Sequence, residues 1–275
     1  MEKLQKALSK ARQERGEVKS GVKPHAPRTR LARSEPSAVD QAWAALTPFE
    51  PDPQLLERNT ILAHTAQKEA ASFDILRTKI FLTMRENGWK RVAVTSPDSG
   101  SGKTTISCNL AAGFSRQTEA RAMLLDADLR MPSIASRLGC TPAHDLCDVL
   151  TGQVPPQEQL LRLRDNVAMS LSSKPVKDPT KLLLSDKVPK ALDDLQAQFE
   201  PDIMIFDLPP MLLIDDTRAT LENVDCALIV VRSEQTHLSR LDVCEREVAE
   251  CTNVLGVVLN DCRNITEDDS EYGYG

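Results

Sequence analysis

Aromatic residues make up only 4% of the 275-residue sequence, so aliphatic side chains have to build its interior. Tyrosine is especially scarce: there are two, Tyr272 and Tyr274, both within the last four residues. No run approaches the roughly 18 consecutive apolar residues that a membrane-spanning helix needs. The basic, polar start also lacks the apolar core of a secretory leader. The seven cysteines (Cys108, Cys140, Cys147, Cys226, Cys244, Cys251 and Cys262) include no Cys-x-x-Cys pair, which argues against a zinc site or a disulfide framework. They read as reduced thiols serving as small hydrophobes. Together these absences point to a soluble chain that stays inside the cell.

What is present is ordinary for a globular protein: 41% hydrophobic and 27% charged residues. The net charge of −6 hides an asymmetry, because residues 1–33 carry ten Lys/Arg against three Glu. That arm is +7 and the remainder −13, a split suited to docking on anionic lipid, a partner or the acidic body, and not by itself a sign of nucleic-acid binding. Leu4, Ala7, Leu8 and Ala11 predict a short amphipathic helix over 3–15. Six prolines between 20 and 60 predict an extended linker, so that 1–60 reads as arm plus linker. A helix is expected near 66–86, with Phe73, Leu76, Ile80 and Met84 on one face.

From there short unbroken apolar runs at 91–95, 121–125, 203–206, 226–231 and 254–259 alternate with helical stretches near 103–116, 186–199 and 238–251. Runs of that kind are strands buried on both faces. The alternation predicts an α/β domain over 61–263, a three-layer parallel sheet flanked by helices, with ligands at the carboxyl ends of its strands.

The first of these strands runs into Ser96-Pro-Asp-Ser-Gly-Ser-Gly-Lys103-Thr104-Thr105. A Gly-rich loop opening a helix aims backbone N–H groups and the positive helix end at a phosphate. Ser99, Gly100, Ser101, Gly102, Lys103, Thr104 and Thr105 are therefore candidate nucleotide contacts, with Lys103 on the β- and γ-phosphates and Thr104 on Mg²⁺. Pro97 stands where the motif usually begins with glycine. Two more strands end in acid: Asp126-Ala-Asp128-Leu-Arg130 and Asp207-Leu-Pro-Pro. Such carboxylates hold magnesium through its water shell in P-loop folds.

Lys103-Thr104, Asp126-x-Asp128-x-Arg130 and Asp207-Leu-Pro-Pro resemble the Walker A, A′ and B motifs of the bacterial tyrosine kinases of exopolysaccharide and capsule synthesis. The resemblance extends from about residue 66 to the end, through Asp145–Gly152, Asp178–Leu184 and Gly256–Asn260. It implies ATP and Mg²⁺ as cofactors, one A′ carboxylate (Asp126 preferred) accepting the tyrosine proton, and Asp128 and Asp207 holding metal-bound water. Arg130 then balances charge or pairs with a neighbouring Asp, and Asn260 matches the adenine-contacting position. The acidic stretch 264–275 is predicted to be a mobile tail presenting Tyr272 and Tyr274 as phosphate acceptors.

Further implications are a transmembrane adaptor of the polysaccharide co-polymerase type as a separate chain, recruitment to the inner face of the membrane, and a cognate phosphotyrosine phosphatase. Homo-oligomerisation is possible, and no nucleic-acid partner is expected. The family's ring-forming Glu-x-x-Arg-x-x-Arg is broken: Ala71, Asp74 and Arg77 stand in its register. The chief alternative is a non-kinase ATPase switch of the partitioning or division-site type, whose loop has a signature lysine where this chain has Asp98. A scaffold that binds nucleotide without turnover is a third reading.

Overall fold

The computed structural model describes residues 36–262; the amphipathic arm helix expected over 3–15 and the tyrosine tail lie outside them. Eight strands form one sheet in the order β1-β4-β5-β3-β6-β2-β7-β8. They are β1 Thr47–Phe49, β2 Arg91–Thr95, β3 Ala122–Asp126, β4 Leu161–Leu163, β5 Val167–Ser170, β6 Ile203–Asp207, β7 Cys226–Arg232 and β8 Asn253–Asn260. All neighbours pair in parallel except β4 and β5, which are antiparallel. The expected architecture is therefore present, with one antiparallel pair added.

The helices are α1 Ala38–Ala44, α2 Pro53–Arg58, α3 Ala71–Asn87, α4 Lys103–Phe114, α5 Ile134–Leu138, α6 Leu146–Leu150, α7 Pro156–Gln159, α8 Thr180–Leu183, α9 Lys187–Phe199, α10 Asp216–Leu221 and α11 Leu238–Ala249. Strand alternation divides the core between the two sheet faces. Met123 and Leu125 join one cluster with Trp43, Leu192 and Phe199, whereas Ala122 and Leu124 join the other with Ile80, Leu110 and Phe114. α9 shows how a helix commits a single stripe: Val188, Leu192, Leu195 and Phe199 are buried at helical spacing, while its charged residues face outward. α4 is buried along most of its length, so it sits as a rigid rod under the loop that precedes it.

Residues 36–60 correct the linker expectation. Ser37 and Asp40 make a reciprocal cap on α1, and Asp52 caps α2 with Pro53 in its first turn. Trp43 is 2% exposed; its ring stands edge-on to Phe199 and its indole N–H donates to Phe199 O at 2.7 Å. β1 carries Pro48, tolerated because the strand lies at the sheet edge. The prolines that suggest a linker are instead used at a helix start and an edge strand.

α3 keeps Ile80 and Met84 buried as expected, and it also buries Arg77. Arg77 donates to Gly113 O at 2.8 Å and pairs with Asp74, which also pairs with Arg116. A Cβ on Gly113 would come within 3.3 Å of the Arg77 side chain, a tight contact to which the arginine would have to give way. The one arginine in register with the ring motif is thus consumed inside the subunit.

Candidate functional site

β3, β6 and β2 are adjacent in the sheet, which brings the end of β3, the end of β6 and the loop after β2 to one edge. Asp126 and Asp207 stand opposite each other in register, as do Val94 and Asp207. The loop 96–102 closes on itself through Ser96 Oγ and Ser101 Oγ, both donating to Asp98 O at 2.6 and 3.0 Å. Gly100 and Gly102 take φ of +79° and +94°, a conformation side chains disfavour, and Gly102 leads directly into α4. A Cβ on Gly102 would lie 2.0 Å from Asn260 Nδ2.

Asp207 has both carboxylate oxygens bonded. Thr104 Oγ1 donates to its Oδ2 at 2.7 Å and Ser107 Oγ to its Oδ1 at 3.0 Å. Burial nevertheless raises its pKa to about 6, against the opposing pull of those hydroxyls and of Lys103. Asp126 is wholly buried. Its Oδ2 accepts the backbone N–H groups of Ser133 and Ile134, at 3.1 and 3.0 Å, where α5 begins. Its Oδ1 is buried with no hydrogen-bond partner. Burial, then the charge of Asp207, pushes the Asp126 pKa well above the ordinary carboxylate range.

Asp128 is half-buried; its Oδ1 accepts from Met131 N at 3.0 Å. Desolvation raises its pKa, while the Met131 N–H and Lys103 pull it back.

Arg130 does not reach into this centre. Its guanidinium grips Asp216 with two bonds, Nε to Oδ2 at 2.5 Å and Nη2 to Oδ1 at 3.2 Å, and touches Thr180 Oγ1 at 3.2 Å. Thr180 Oγ1 in turn donates to Asp216 Oδ1 at 2.5 Å. The arginine therefore ties the A′ loop to α8 and α10, the structural pairing of the two roles open to it. Asn260 Nδ2 donates to Ser101 O at 2.9 Å, so this side chain braces the phosphate loop.

Ser107, Ser133, Asn109 and Asp216 belong to the network without standing out in the sequence. Ser107 lies one turn after Lys103-Thr104, and that spacing is the one signal that could have found it. Asp98 marks only a missing lysine in the sequence; in the structure Arg240 of α11 clasps its carboxylate with two bonds, Nε to Oδ2 at 2.8 Å and Nη2 to Oδ1.

A family model for the CobQ/CobB/MinD/ParA nucleotide-binding domain matches residues 92–272. The chain belongs to that family. Its P-loop is accordingly that of a nucleotide-binding domain. Among curated relatives, the chain is 29% identical over 222 residues to the tyrosine-protein kinase YwqD of Bacillus subtilis, covering 80% of this chain and 92% of that protein. It is 30% identical over 206 residues to the putative tyrosine-protein kinase EpsB of Ralstonia nicotianae, covering 73% of this chain but only 26% of that one.

The kinase domain of the Escherichia coli tyrosine kinase ETK superposes with a TM-score of 0.68 at 22% identity, covering 89% of this chain and all of that domain, which supports the fold of this CobQ/CobB/MinD/ParA member. Among the described residues no helix is long and apolar enough to cross a membrane.

Proposed function

We propose that this member of the family is a protein-tyrosine kinase that transfers the γ-phosphate of ATP to tyrosine, with Tyr272 and Tyr274 as its own acceptors. The observation that carries the reading is the A′ pair. It places a second, more accessible carboxylate, Asp128, beside the Lys103 loop in a chain whose relatives are named tyrosine-protein kinases. Phosphoryl transfer needs positioning and charge neutralisation more than covalent help. Backbone N–H groups from Gly100 to Thr105, at the positive end of α4, suit the phosphates, and Lys103 suits their outer oxygens.

The residues also fit a magnesium ion. Among the described residues no three His, Cys, Asp or Glu side chains gather to hold a metal unaided. Magnesium needs only one or two carboxylates beside substrate phosphates and water. Asp207, with Thr104, and the unpartnered Oδ1 of Asp126 provide them, and a cation would offset the repulsion between the two acids. A magnesium ion held by these residues would supply positive charge against the terminal phosphates. Asp126, buried and half-committed to capping α5, is poorly placed to meet a tyrosine hydroxyl. Proton acceptance therefore moves from Asp126 to Asp128, whose raised pKa brings it nearer to that task.

The ATPase-switch reading is disfavoured by the Asp98–Arg240 clasp, because an acid held by arginine occupies the position of the signature lysine. A separate membrane adaptor, recruitment of the basic arm to the membrane and a dedicated phosphatase are what the resemblance to the exopolysaccharide and capsule kinases implies. The test is an anti-phosphotyrosine blot of the purified full chain with Mg·ATP. A signal lost on changing Tyr272 and Tyr274 to Phe supports the reading, and normal ATP hydrolysis without signal overturns it.

A further inference from the structure

A second cavity, of about 200 Å³, lies between α4, the sheet and the segment 50–64. Cys108, Ala111 and Ala112 of α4, Leu124 of β3, Met169 of β5 and Leu56 of α2 line it, all of them apolar and buried. None of these side chains belongs to the phosphate-loop network.

Two features keep this space from collapsing. The alanines contribute almost no volume, and the roof is pinned by Asn109. The Asn109 Oδ1 accepts from Leu62 N and Ala63 N at 2.8 and 3.0 Å, and its Nδ2 donates to Thr60 O and Thr105 O at 2.8 and 2.9 Å. An unfilled cavity costs stability, so a void whose roof is held by three hydrogen bonds, to Leu62 N, Ala63 N and Thr60 O, is poorly explained as a packing flaw. Dry apolar cavities of roughly 150 Å³ take up a benzene-sized guest.

The mouth narrows the class of guest. Glu50 and Arg164 stand there with opposite charges, and neither forms an ion pair among the described residues. No net sign favours an anion or a cation. His64, also at the mouth, has Nδ1 2.7 Å from Ile61 O. A carbonyl can only accept, so Nδ1 carries the proton, and in the neutral form of the ring Nε2 is an acceptor. We propose that this cavity is a binding site for a small neutral aromatic molecule of one or two fused rings carrying a single N–H or O–H donor.

The probe is indole, titrated into the full chain with ¹³C-methyl methionine spectra as readout. The Met169 resonance should move saturably in the millimolar range or below. Met204, packed on the opposite face of the sheet, should stay still. Benzothiophene, of the same shape without the donor, should bind at least about threefold more weakly.

Ala111→Leu should abolish the Met169 response. Ala112→Val fills the space more gently, and melting curves show which variant remains folded. A Met169 signal unmoved by indole, or a response that survives in a folded filled variant, overturns the site. Equal binding of benzothiophene overturns the assigned donor.

Discussion

The phosphate-loop edge and the segment 36–64 behind it are built by opposite means. At the edge, each functional group comes from a short contiguous stretch: a loop running into α4, an acid pair ending β3, an acid ending β6. Behind it, a tryptophan, an asparagine and a few prolines, far apart in sequence, hold a short edge strand and two short helices in place. The first region is polar and carries unneutralised charge. The second is apolar and closed by caps. The lesson is that local sequence order encodes the chemistry, whereas the wrap that supports it is encoded by partners tens of residues away.

Breaking the edge should abolish function and spare the fold. Lys103→Met is expected to reduce nucleotide binding and tyrosine labelling by about 100-fold or more, with an unchanged melting curve, since the phosphates lose their only loop cation. Asp128→Asn should cut transfer to a similar extent while nucleotide affinity stays within a few-fold, as read by fluorescent-nucleotide titration. Comparable loss of both would make Asp128 a binding group.

The wrap should show the reverse pattern. Trp43→Ala removes a buried ring, its contact with Phe199 and a hydrogen bond, and should cost about 3–5 kcal/mol in urea unfolding. Residual folded protein should keep nucleotide affinity. An effect below 1 kcal/mol would mean that the segment 36–64 is merely laid on the surface.

The smallest effects concern the price of buried charge. Asp207 has a pKa of about 6 when folded against an ordinary 3.8, so between those values the folded state holds more protons than the unfolded one. Its contribution to stability is full below 3.8 and is lost as pH rises through 6, a total of ~3 kcal/mol. Asp207→Asn should flatten that part of the pH–stability curve. Magnesium needs the ionised form, so Mg²⁺-dependent nucleotide affinity should fall about tenfold from pH 7 to 5. Asp126→Asn keeps an acceptor for the α5 N–H groups and removes a buried charge. Without metal it should raise Tm, at roughly 2–4 °C for each kcal/mol gained.

Much of the edge was legible in advance. The five apolar runs expected as strands are β2, β3, β6, β7 and β8, shifted by at most a residue or so at their ends; the first four are buried on both faces and so need uninterrupted apolar sequence, whereas β8 is an edge strand whose Val257 and Leu259 are exposed. Lys103, Thr104, Asp126, Asp128 and Asp207 were legible because their motifs abut those strands. β1, β4 and β5 were not, being three or four residues long and too short for a periodicity to register. Prolines were read as breakers where Pro53 starts a helix and Pro48 sits in an edge strand. Arg130 drew attention as a possible site charge, but its partner Asp216 lies 86 positions away, and only the fold reveals that pairing.

Intact-mass spectrometry of the purified full chain, before and after incubation with Mg·ATP, tests the central claim most directly. Wild type should gain one and then two phosphates, the Tyr272→Phe, Tyr274→Phe double variant none, and Lys103→Met none when alone. Mixing Lys103→Met with that double variant should put phosphate on the Lys103→Met chain, as transfer between copies requires. A wild-type mass that stays unchanged while ATP is consumed would contradict the account and leave a nucleotide-driven switch in its place.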